Sequence, residues 1–203
     1  VPDVGFRLAL DNLRNQLSYV PDFDSGGQPI AYALYVLARE GAAATGDLRY
    51  YADVKADAFS TPLALAQLGA ALASYGDQTR ADRMFRLATQ RVAAEAARPP
   101  VTTLWRIDYG TARRDAAAVL ALALEAGSTA ADEATLVAAA LARPEDRRST
   151  QEAVWALRAA TELATAPEAG FTVNDEAVDG PLVRVLEPDT FAPLAIRTRS
   201  NRD

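Results

Sequence analysis

Alanine is distributed unevenly along this chain of 203 residues, and the distribution limits what the chain can fold into. Of its 45 alanines, 42 lie before Gly170 and three lie after it, together with three prolines. Alanine has the highest helix propensity, and its small side chain lets neighbouring helices approach closely. The chain is therefore predicted to be helical up to Ala169 and to form strands after it.

Glycine, proline and capping residues divide the helical part at regular intervals. Thr61, for example, is predicted to cap a helix whose first position is Pro62. Pro99 and Pro100 force a break, and the stretch from there to Gly110 is predicted to be irregular. Apolar spacing and these signals predict eight helices: Asp3–Tyr19, Pro29–Gly41, Asp47–Asp57, Pro62 to Gly76, one after Asp77, Thr111–Ala126, Asp132–Ala142, and one from Ser149 or Thr150 that carries Trp155 and Leu163.

The sixth of these helices is apolar nearly all round, with no polar side chain from Ala116 to Leu124. A helix of that kind is buried on most sides. Short loops between the helices predict antiparallel hairpins in which the inner helices are more apolar than the outer ones. Two architectures fit this pattern: an open helical solenoid and an arc of an α/α toroid.

The tail has a different pattern, with β-branched and aromatic residues in short runs. Strands are predicted at Phe171–Asn174 and Leu182–Leu186, separated by a turn region that contains glycine and proline, and the span Phe191–Arg199 could hold a third strand. Three short strands provide too small a core to fold alone. They are expected to dock on the helices or to belong to an incomplete β-sandwich.

Composition excludes several classes of function. The chain has no cysteine and no histidine, which removes disulfides, thiol nucleophiles, histidine-based triads and the usual zinc sites. The net charge of −6 gives no basic field to attract nucleic acid. The longest apolar run is about half of what a membrane-spanning helix needs. Because the chain begins at Val1 without an initiator methionine, it is expected to be a piece of a longer protein.

Acidic residues are the remaining candidates for chemistry. In α/α toroid enzymes, two carboxylates in a central cavity do acid/base work on sugars. Among Asp108, Asp115, Glu125 and Glu152, no pair stands out from solvated helix ends. Asp132, Glu133 and Glu152 fall in first turns, where the helix dipole favours a negative charge for structural reasons. Arg113 and Arg114 are interpreted as paired charges on an outer face. No catalytic, cofactor-binding or metal-ligating residue is assigned, and no cofactor is expected.

Two further patterns have weak functional interpretations. The segment from Leu68 to Ala88 echoes a tetratricopeptide unit, but nothing recurs at that unit's repeat length. Asp22–Gly27 offers oxygen ligands before two glycines, but it lacks the closing glutamate of a calcium loop. Hairpin packing and a solvated turn are the simpler explanations of these two patterns.

Five segments, in order, resemble the bacterial alpha-2-macroglobulin family, in the later part of its thioester-domain region. Two of the shorter ones are YGTARRD and STQEAVW. The five segments are Gly26–Gly41, Gly46–Asp53, Thr61–Asp77, Tyr109–Ala118 and Ser149–Trp155. The tail from Phe171 looks like the return of the chain to the β-sandwich that follows this region in the family.

The resemblance implies a mainly α fold: a partial α/α toroid of antiparallel helical hairpins over residues 1–166, then a short C-terminal β segment over residues 170–203. It implies that the chain is a non-catalytic fragment of a protease inhibitor, which traps a protease after that protease has cleaved a bait segment. The partners it implies are proteases, which the full-length parent protein would bind, and the neighbouring β-domains of the same protein. The family's Cys-x-Glu-Gln thioester motif is absent, and no functional residue carries over. Bacterial members are periplasmic and often lipid-anchored to the inner membrane. The alternative is a tetratricopeptide-like interaction module.

An incomplete toroid has a consequence for its first helix. Phe6, Leu10, Leu13 and Leu17 lie on one face of the first predicted helix, Asp3–Tyr19, which we number α1; we call this face the α1 stripe. Without a preceding hairpin this face is left without its neighbour, and exposed apolar faces tend to find partners. The α1 stripe is therefore a candidate surface for self-association.

Overall fold

A computed structural model of the chain describes residues 3–19, 23, 26–98, 106, 108–142, 148–165, 171–174, 176–178 and 195–198. The chain divides into two compact units, Val1–Ala159 and Ala160–Asp203. The fold is mainly α, as predicted. The helices are α1 Asp3–Tyr19, α2 Gln28–Arg39, α3 Thr45–Val54, α4 Pro62–Ser74, α5 Gln78–Ala96, α6 Ala112–Glu125, α7 Ala131–Leu141 and α8 Thr150–Thr165.

The first unit is arranged as two rows of helices. One row contains α2, α4 and α6, and α4 packs against both of its neighbours in that row. The other row contains α3, α5 and α7, with α5 in contact with α3, α4, α6 and α7. Most residues of α2, α4 and α6 are buried, so we call their row the inner row. None of the helices in the described residues is long and apolar enough to cross a membrane.

The hairpin of α4 and α5 packs most closely. Gly69 near the end of α4 faces Ala81 and Phe85 near the start of α5, so the two helices are antiparallel. A methyl group on Gly69 would lie 3.2 Å from the Phe85 ring and 3.3 Å from the carbonyl oxygen of Ala81. Leu65, Leu68 and Phe85 are fully buried here. Small residues on α4 therefore set how near its neighbours can come.

The buried helix α6 is the second half of this core. Val119 and Leu122 are 1% and 0% exposed, Leu120 is 4% exposed, and Leu124 is partly buried. The prediction that Ala116–Leu124 lies on a buried helix is thereby confirmed. The loop after α6 is fastened to α5 because Asp82 accepts hydrogen bonds from the hydroxyls of Ser128 and Thr129 at 2.7 and 2.8 Å.

The three inner helices end in the same way, at Gly41, Gly76 and Gly127. Each glycine has a left-handed φ, of 67°, 77° and 57° respectively, which residues with a Cβ adopt at a cost. The residue after each glycine donates a backbone hydrogen bond back into the last turn, which satisfies one of the free carbonyl groups there. These bonds run from Ala42 to Leu37, from Asp77 to Leu72 and from Ser128 to Ala123.

The predicted cap of α4 is confirmed, because Thr61 accepts a hydrogen bond from a backbone N–H in the first turn at 3.3 Å. Thr111, predicted as the first residue of its helix, caps α6 in the same way at 3.0 Å. One predicted helix is too long: α3 ends at Val54, and Ala56–Ala58 form a 3₁₀ turn. The reason is that Lys55 leaves the helical conformation, which brings Phe59 into the core with no exposed surface.

The first helix is the least buried. None of its residues is buried, although Leu10, Leu13 and Leu17 are partly covered where α1 packs on α2. Phe6 is 39% exposed. On the opposite side of α1, Val4 and Leu8 are 72% and 64% exposed. The α1 stripe is therefore half covered by this chain's own α2.

The second unit contains a three-stranded antiparallel sheet in the order β2-β1-β3, with β1 Phe171–Val173, β2 Glu176–Val178 and β3 Ile196–Thr198. The strands β1 and β3 lie where they were predicted. The strand β2 occupies the region predicted to be a turn. It forms because Asn174, at a φ of 52°, starts a two-residue turn that pairs Val173 with Glu176. The predicted strand Leu182–Leu186 lies outside the described residues.

We predict that Leu120→Asp strongly destabilises the first unit. Leu120 is 4% exposed on α6, so the change buries an unpaired charge, at a cost of about 3 kcal/mol or more. Urea unfolding followed by circular dichroism measures the loss. The matched control is Leu136→Asp on α7, because Leu136 is 72% exposed and should change the unfolding free energy by less than about 0.5 kcal/mol. Equal losses in the two variants would contradict this account of α6.

Candidate functional site

Most of the buried charge in the described residues collects where the end of α5, the loop before α6, and the first turns of α6 and α8 meet. We call this group the arginine–aspartate cluster; its members are Glu95, Arg106, Asp108, Arg114, Asp115 and Glu152. It involves two of the segments that carry the family resemblance, Tyr109–Ala118 and Ser149–Trp155. This makes it the first candidate for a functional site.

The loop before α6 is fixed by its own polar groups. The Tyr109 amide donates to the Arg106 carbonyl at 3.0 Å, and the Gly110 amide donates to the Asp108 carboxylate at 3.1 Å. Tyr109 has a left-handed φ of 51°, and its ring is 74% exposed. A Cβ on Gly110 would come within 2.0 Å of the Arg114 guanidinium. The guanidinium therefore packs directly on the backbone at Gly110, and any larger residue there would require the Arg114 side chain to move.

Arg106 is the hub of the cluster. Its guanidinium donates to both oxygens of Asp108, at 3.0 and 2.8 Å, in the bidentate arrangement that arginine favours. It also donates to Asp115 at 2.8 Å and to Glu95 at 3.4 Å. One cation therefore holds three carboxylates, which belong to α5, the loop and α6.

Arg114 is the second cation, and it is 4% exposed. It donates to Asp108 and, at 3.0 Å, to the side-chain carbonyl of Gln151 on α8. Its Nε lies 2.6 Å from Oδ1 of Asp115, an ion pair without hydrogen-bond geometry. Asp115 itself has no exposed surface. The cluster thus joins the start of α6 to the start of α8.

Helix capping completes this junction. Ser149 and Glu152 form a reciprocal capping box, in which the Ser149 amide donates to Glu152 at 2.8 Å and the Glu152 amide donates to the Ser149 hydroxyl at 3.2 Å. The other oxygen of Glu152 accepts from the hydroxyl of Thr111 at 2.7 Å. Thr111 is the cap of α6, so one carboxylate ties together the first turns of two helices.

Burial and pairing divide the pKa values of these carboxylates into two groups. Burial raises the pKa of Asp115 and of Glu95, and the neighbouring arginines compensate only in part. Burial also acts against ionisation of Asp108, but hydrogen bonds from Arg106 and Arg114 outweigh it and lower the Asp108 pKa. For Glu152, burial is likewise outweighed, by hydrogen bonds from Thr111 and Ser149, and its pKa is lowered.

The geometry gives this cluster a structural role. A glycosidase-type pair needs a carboxyl group free to donate a proton and a second one free to act on substrate. Here the carboxylates of Asp108, Asp115 and Glu152 are engaged by guanidinium, hydroxyl or backbone donors. Within the described ranges, no group of acidic side chains could hold a metal ion. The cluster can hold helices together, and it offers no open acid/base pair.

The structure corrects two interpretations made from the sequence. Asp108, Asp115 and Glu152 are not solvated helix ends, because they belong to one buried network that spans several elements. Arg114 is not an outer-face charge, because it is 4% exposed and paired with this network. The absence of an assigned catalytic residue remains a prediction.

Two other sequence candidates lie elsewhere. Glu125 is apart from the cluster and pairs with Arg39 and Arg158. In the segment Asp22–Gly27, the structure places Gly26 and Gly27 in a turn before α2, both at a φ of 73°. Asp22 and Asp24, the two candidate calcium ligands, lie outside the described residues.

We predict that Arg114→Met destabilises the chain by about 3–5 kcal/mol, because it leaves Asp115 and Asp108 buried with one cation fewer. Adding Asp115→Asn should recover part of this loss, since the uncompensated charge is then removed. Arg7→Met, on the exposed helix α1, is the control with the same change in charge. Denaturant unfolding of Arg114→Met, Asp115→Asn, the double variant and the control measures these effects. A double variant whose loss equals the sum of the two single losses would contradict the proposed coupling.

The raised pKa of Glu95 predicts a pH-dependent effect. Because the raised pKa means that the fold favours protonated Glu95, ionisation of Glu95 lowers the free energy of unfolding as the pH rises above the ordinary carboxyl range. Glu95→Gln should therefore stabilise the chain at pH 7, and the gain should shrink as the pH falls towards about 4. Glu40→Gln, at the exposed end of α2, is the control. A gain independent of pH would contradict the electrostatic explanation.

Comparison with known proteins agrees with the resemblance in the sequence. No protein-family profile matches the chain. The alpha-2-macroglobulin of Escherichia coli strain K12 is 40% identical to it over 103 residues, which are 51% of this chain and 6% of that protein.

Solved structures extend the match along the chain. Salmonella alpha-2-macroglobulin reacted with methylamine is 26% identical, with a TM-score of 0.67, over 98% of this chain and 14% of that one. Escherichia coli alpha-2-macroglobulin activated by porcine elastase is 26% identical, with a TM-score of 0.65, over 100% of this chain and 19% of that one. The chain thus spans less than a fifth of the length of each of these relatives. It belongs to the bacterial alpha-2-macroglobulin family and corresponds to one segment of the family's much longer proteins.

Proposed function

We propose that the chain is a non-catalytic helical portion of a bacterial protease trap of the alpha-2-macroglobulin type. The observation that carries the proposal is the structural match over 98% of the chain to a Salmonella alpha-2-macroglobulin. Homology to bacterial alpha-2-macroglobulins supports proteases as partners of the parent protein. Within that parent, we propose that this chain also contacts the neighbouring β-domains. It does not favour the alternative of a tetratricopeptide-like interaction module.

The arrangement of the helices fits a supporting role. The arginine–aspartate cluster holds α5, α6 and α8 together, and it presents no open acid/base pair. The two rows of helices are compatible with an arc of an α/α toroid, and we propose that architecture for residues 1–166, with residues 170–203 belonging to a following β-sandwich. We further propose a periplasmic location, with any lipid anchor carried by another part of the parent.

The proposal predicts that the isolated chain neither inhibits trypsin nor incorporates methylamine. It has no thiol from which to build a thioester. A trap also needs a bait segment and surrounding domains, which 203 residues cannot supply beside eight helices. Trypsin activity on a protein substrate is measured with the chain in excess, and the intact parent protein serves as the positive control. Stoichiometric inhibition by the isolated chain would overturn the proposal, as would a parent that leaves trypsin fully active on protein substrates.

We also propose that the isolated chain self-associates weakly through the α1 stripe, of which Phe6 is the most exposed member. The variant Phe6→Ser/Leu10→Ser is expected to shift the chain towards monomer in sedimentation equilibrium, because it removes apolar area from that face. The matched control is Val4→Ser/Leu8→Ser, which removes apolar side chains from the opposite side of α1. A chain that is monomeric at all concentrations, or an equal effect of both variants, would contradict this surface.

A further inference from the structure

A cavity of about 820 Å³ opens where the C-terminal ends of α2, α4 and α6 come together. Its volume is in the range of small-molecule and peptide sites. The space exists because the walls carry small side chains where an ordinary core has large ones. The apolar part of the lining consists of Ala38, Ala70, Ala73, Leu122 and Ala126.

One side of the cavity carries an excess of positive charge. Glu125 at the end of α6 accepts hydrogen bonds from two guanidinium groups, those of Arg39 and Arg158. Three charges meet, and two of them are positive. The Arg39 side chain is 50% exposed and lines the cavity, so part of its donor capacity faces the open space.

Tyr35 adds a neutral donor on the same side. Its hydroxyl oxygen accepts from Arg39 at 3.2 Å and from Arg158 at 3.3 Å. Since both partners are donors only, the phenolic proton is left to donate elsewhere. The ring of Tyr35 lines the cavity and is 9% exposed. A guanidinium with spare donors and a phenol at one point form a receptor for a carboxylate.

The lining of the cavity also offers acceptors. The last carbonyl groups of a helix have no partner inside the helix, and the glycine turns after α2, α4 and α6 satisfy only some of them. Ser74 lines the cavity and donates its hydroxyl proton to the Ala71 carbonyl at 2.8 Å, which leaves its oxygen able to accept. These acceptors suit the N–H groups of a peptide, whereas an alkyl chain would leave them unpaired.

We propose that this cavity binds the C-terminal end of a peptide. The terminal carboxylate pairs with Arg39 and the Tyr35 hydroxyl, small aliphatic side chains of the last residues lie against the alanine walls, and the peptide N–H groups meet the carbonyl groups at the helix ends. This inference goes beyond the proposed function and does not rest on it, because every contact belongs to the described chain.

The test uses the full chain and three probes: acetyl-Ala-Ala-Leu with a free carboxylate, the same peptide as its C-terminal amide, and octanoate. Binding is followed by isothermal titration calorimetry and by amide NMR shifts around α2, α4 and α6. We expect the free acid to bind with a Kd below about 1 mM and the other two probes to bind at least about tenfold more weakly.

Variants locate the binding. Arg39→Gln should weaken the free acid by about tenfold or more, whereas Arg7→Gln, which removes the same charge from exposed α1, should leave it unchanged. Ala73→Leu fills the cavity and should abolish binding without lowering the unfolding midpoint by more than a few degrees, because Ala73 is only partly buried. This second variant keeps the test independent of the ion pairs at the rim.

Three results would overturn the proposal. They are the absence of acid binding up to about 10 mM, equal binding of acid and amide, and unchanged binding in both Arg39→Gln and Ala73→Leu. Octanoate binding as tightly as the peptide would show a site for alkyl carboxylates and would also overturn the assignment to a peptide. None of these results bears on whether the parent protein traps proteases.

Discussion

The close approach of α4 to its neighbours is the constraint on which the rest of the helical unit depends. A methyl group on Gly69 would lie 3.2 Å from the Phe85 ring and 3.3 Å from the Ala81 carbonyl oxygen, so a side chain there would require α5 to give by a few tenths of an ångström. Closely packed interiors transmit such changes instead of absorbing them. The two rows of helices, and with them the cavity at the inner helix ends, follow from the small residues of α4.

The arginine–aspartate cluster supplies specificity where the alanine-rich surfaces cannot. Alanine faces are alike, so they define poorly which turn of one helix meets which turn of the next. Arg106 and Arg114 fix that register, since their carboxylate partners lie on α5, the loop and α6, and Gln151 lies on α8. Desolvation makes a buried network of this kind a weak source of net stability. It contributes specificity, because any other arrangement of the helices that leaves one of these charges buried and unpaired has a higher free energy.

The helices could be predicted from the sequence because their signals are local. Thr61 with Pro62, and the glycines that end α2, α4 and α6, act within a few residues of the turn they define. The strand β2 was missed although its signal, an asparagine at a tight turn, is also local, because the glycine and proline that follow suggested a longer loop. For the helices, by contrast, capping residues and glycines within a few positions of each end set most of the bounds.

The cluster and the cavity could not be predicted in the same way, because their partners are distant in sequence. Thr111 is 41 residues from Glu152, and Arg39 is 86 residues from Glu125, so these pairs form only through the tertiary fold. In the sequence, Arg39, Glu125 and Glu152 lie at helix ends, where a charged side chain is expected to be exposed to solvent. The resemblance segments Tyr109–Ala118 and Ser149–Trp155 both contribute to the cluster, but the sequence did not predict that they meet.

Native-state hydrogen exchange tests the central claim, that the helical unit is organised around α4. At a concentration low enough to keep the chain monomeric, the account predicts the slowest exchange for the amides of α4 and α6, with opening free energies close to that of global unfolding. The amides of α1, which has no buried residue, should exchange first. Protection of α1 equal to that of α4, or rapid exchange throughout α4, would contradict the account.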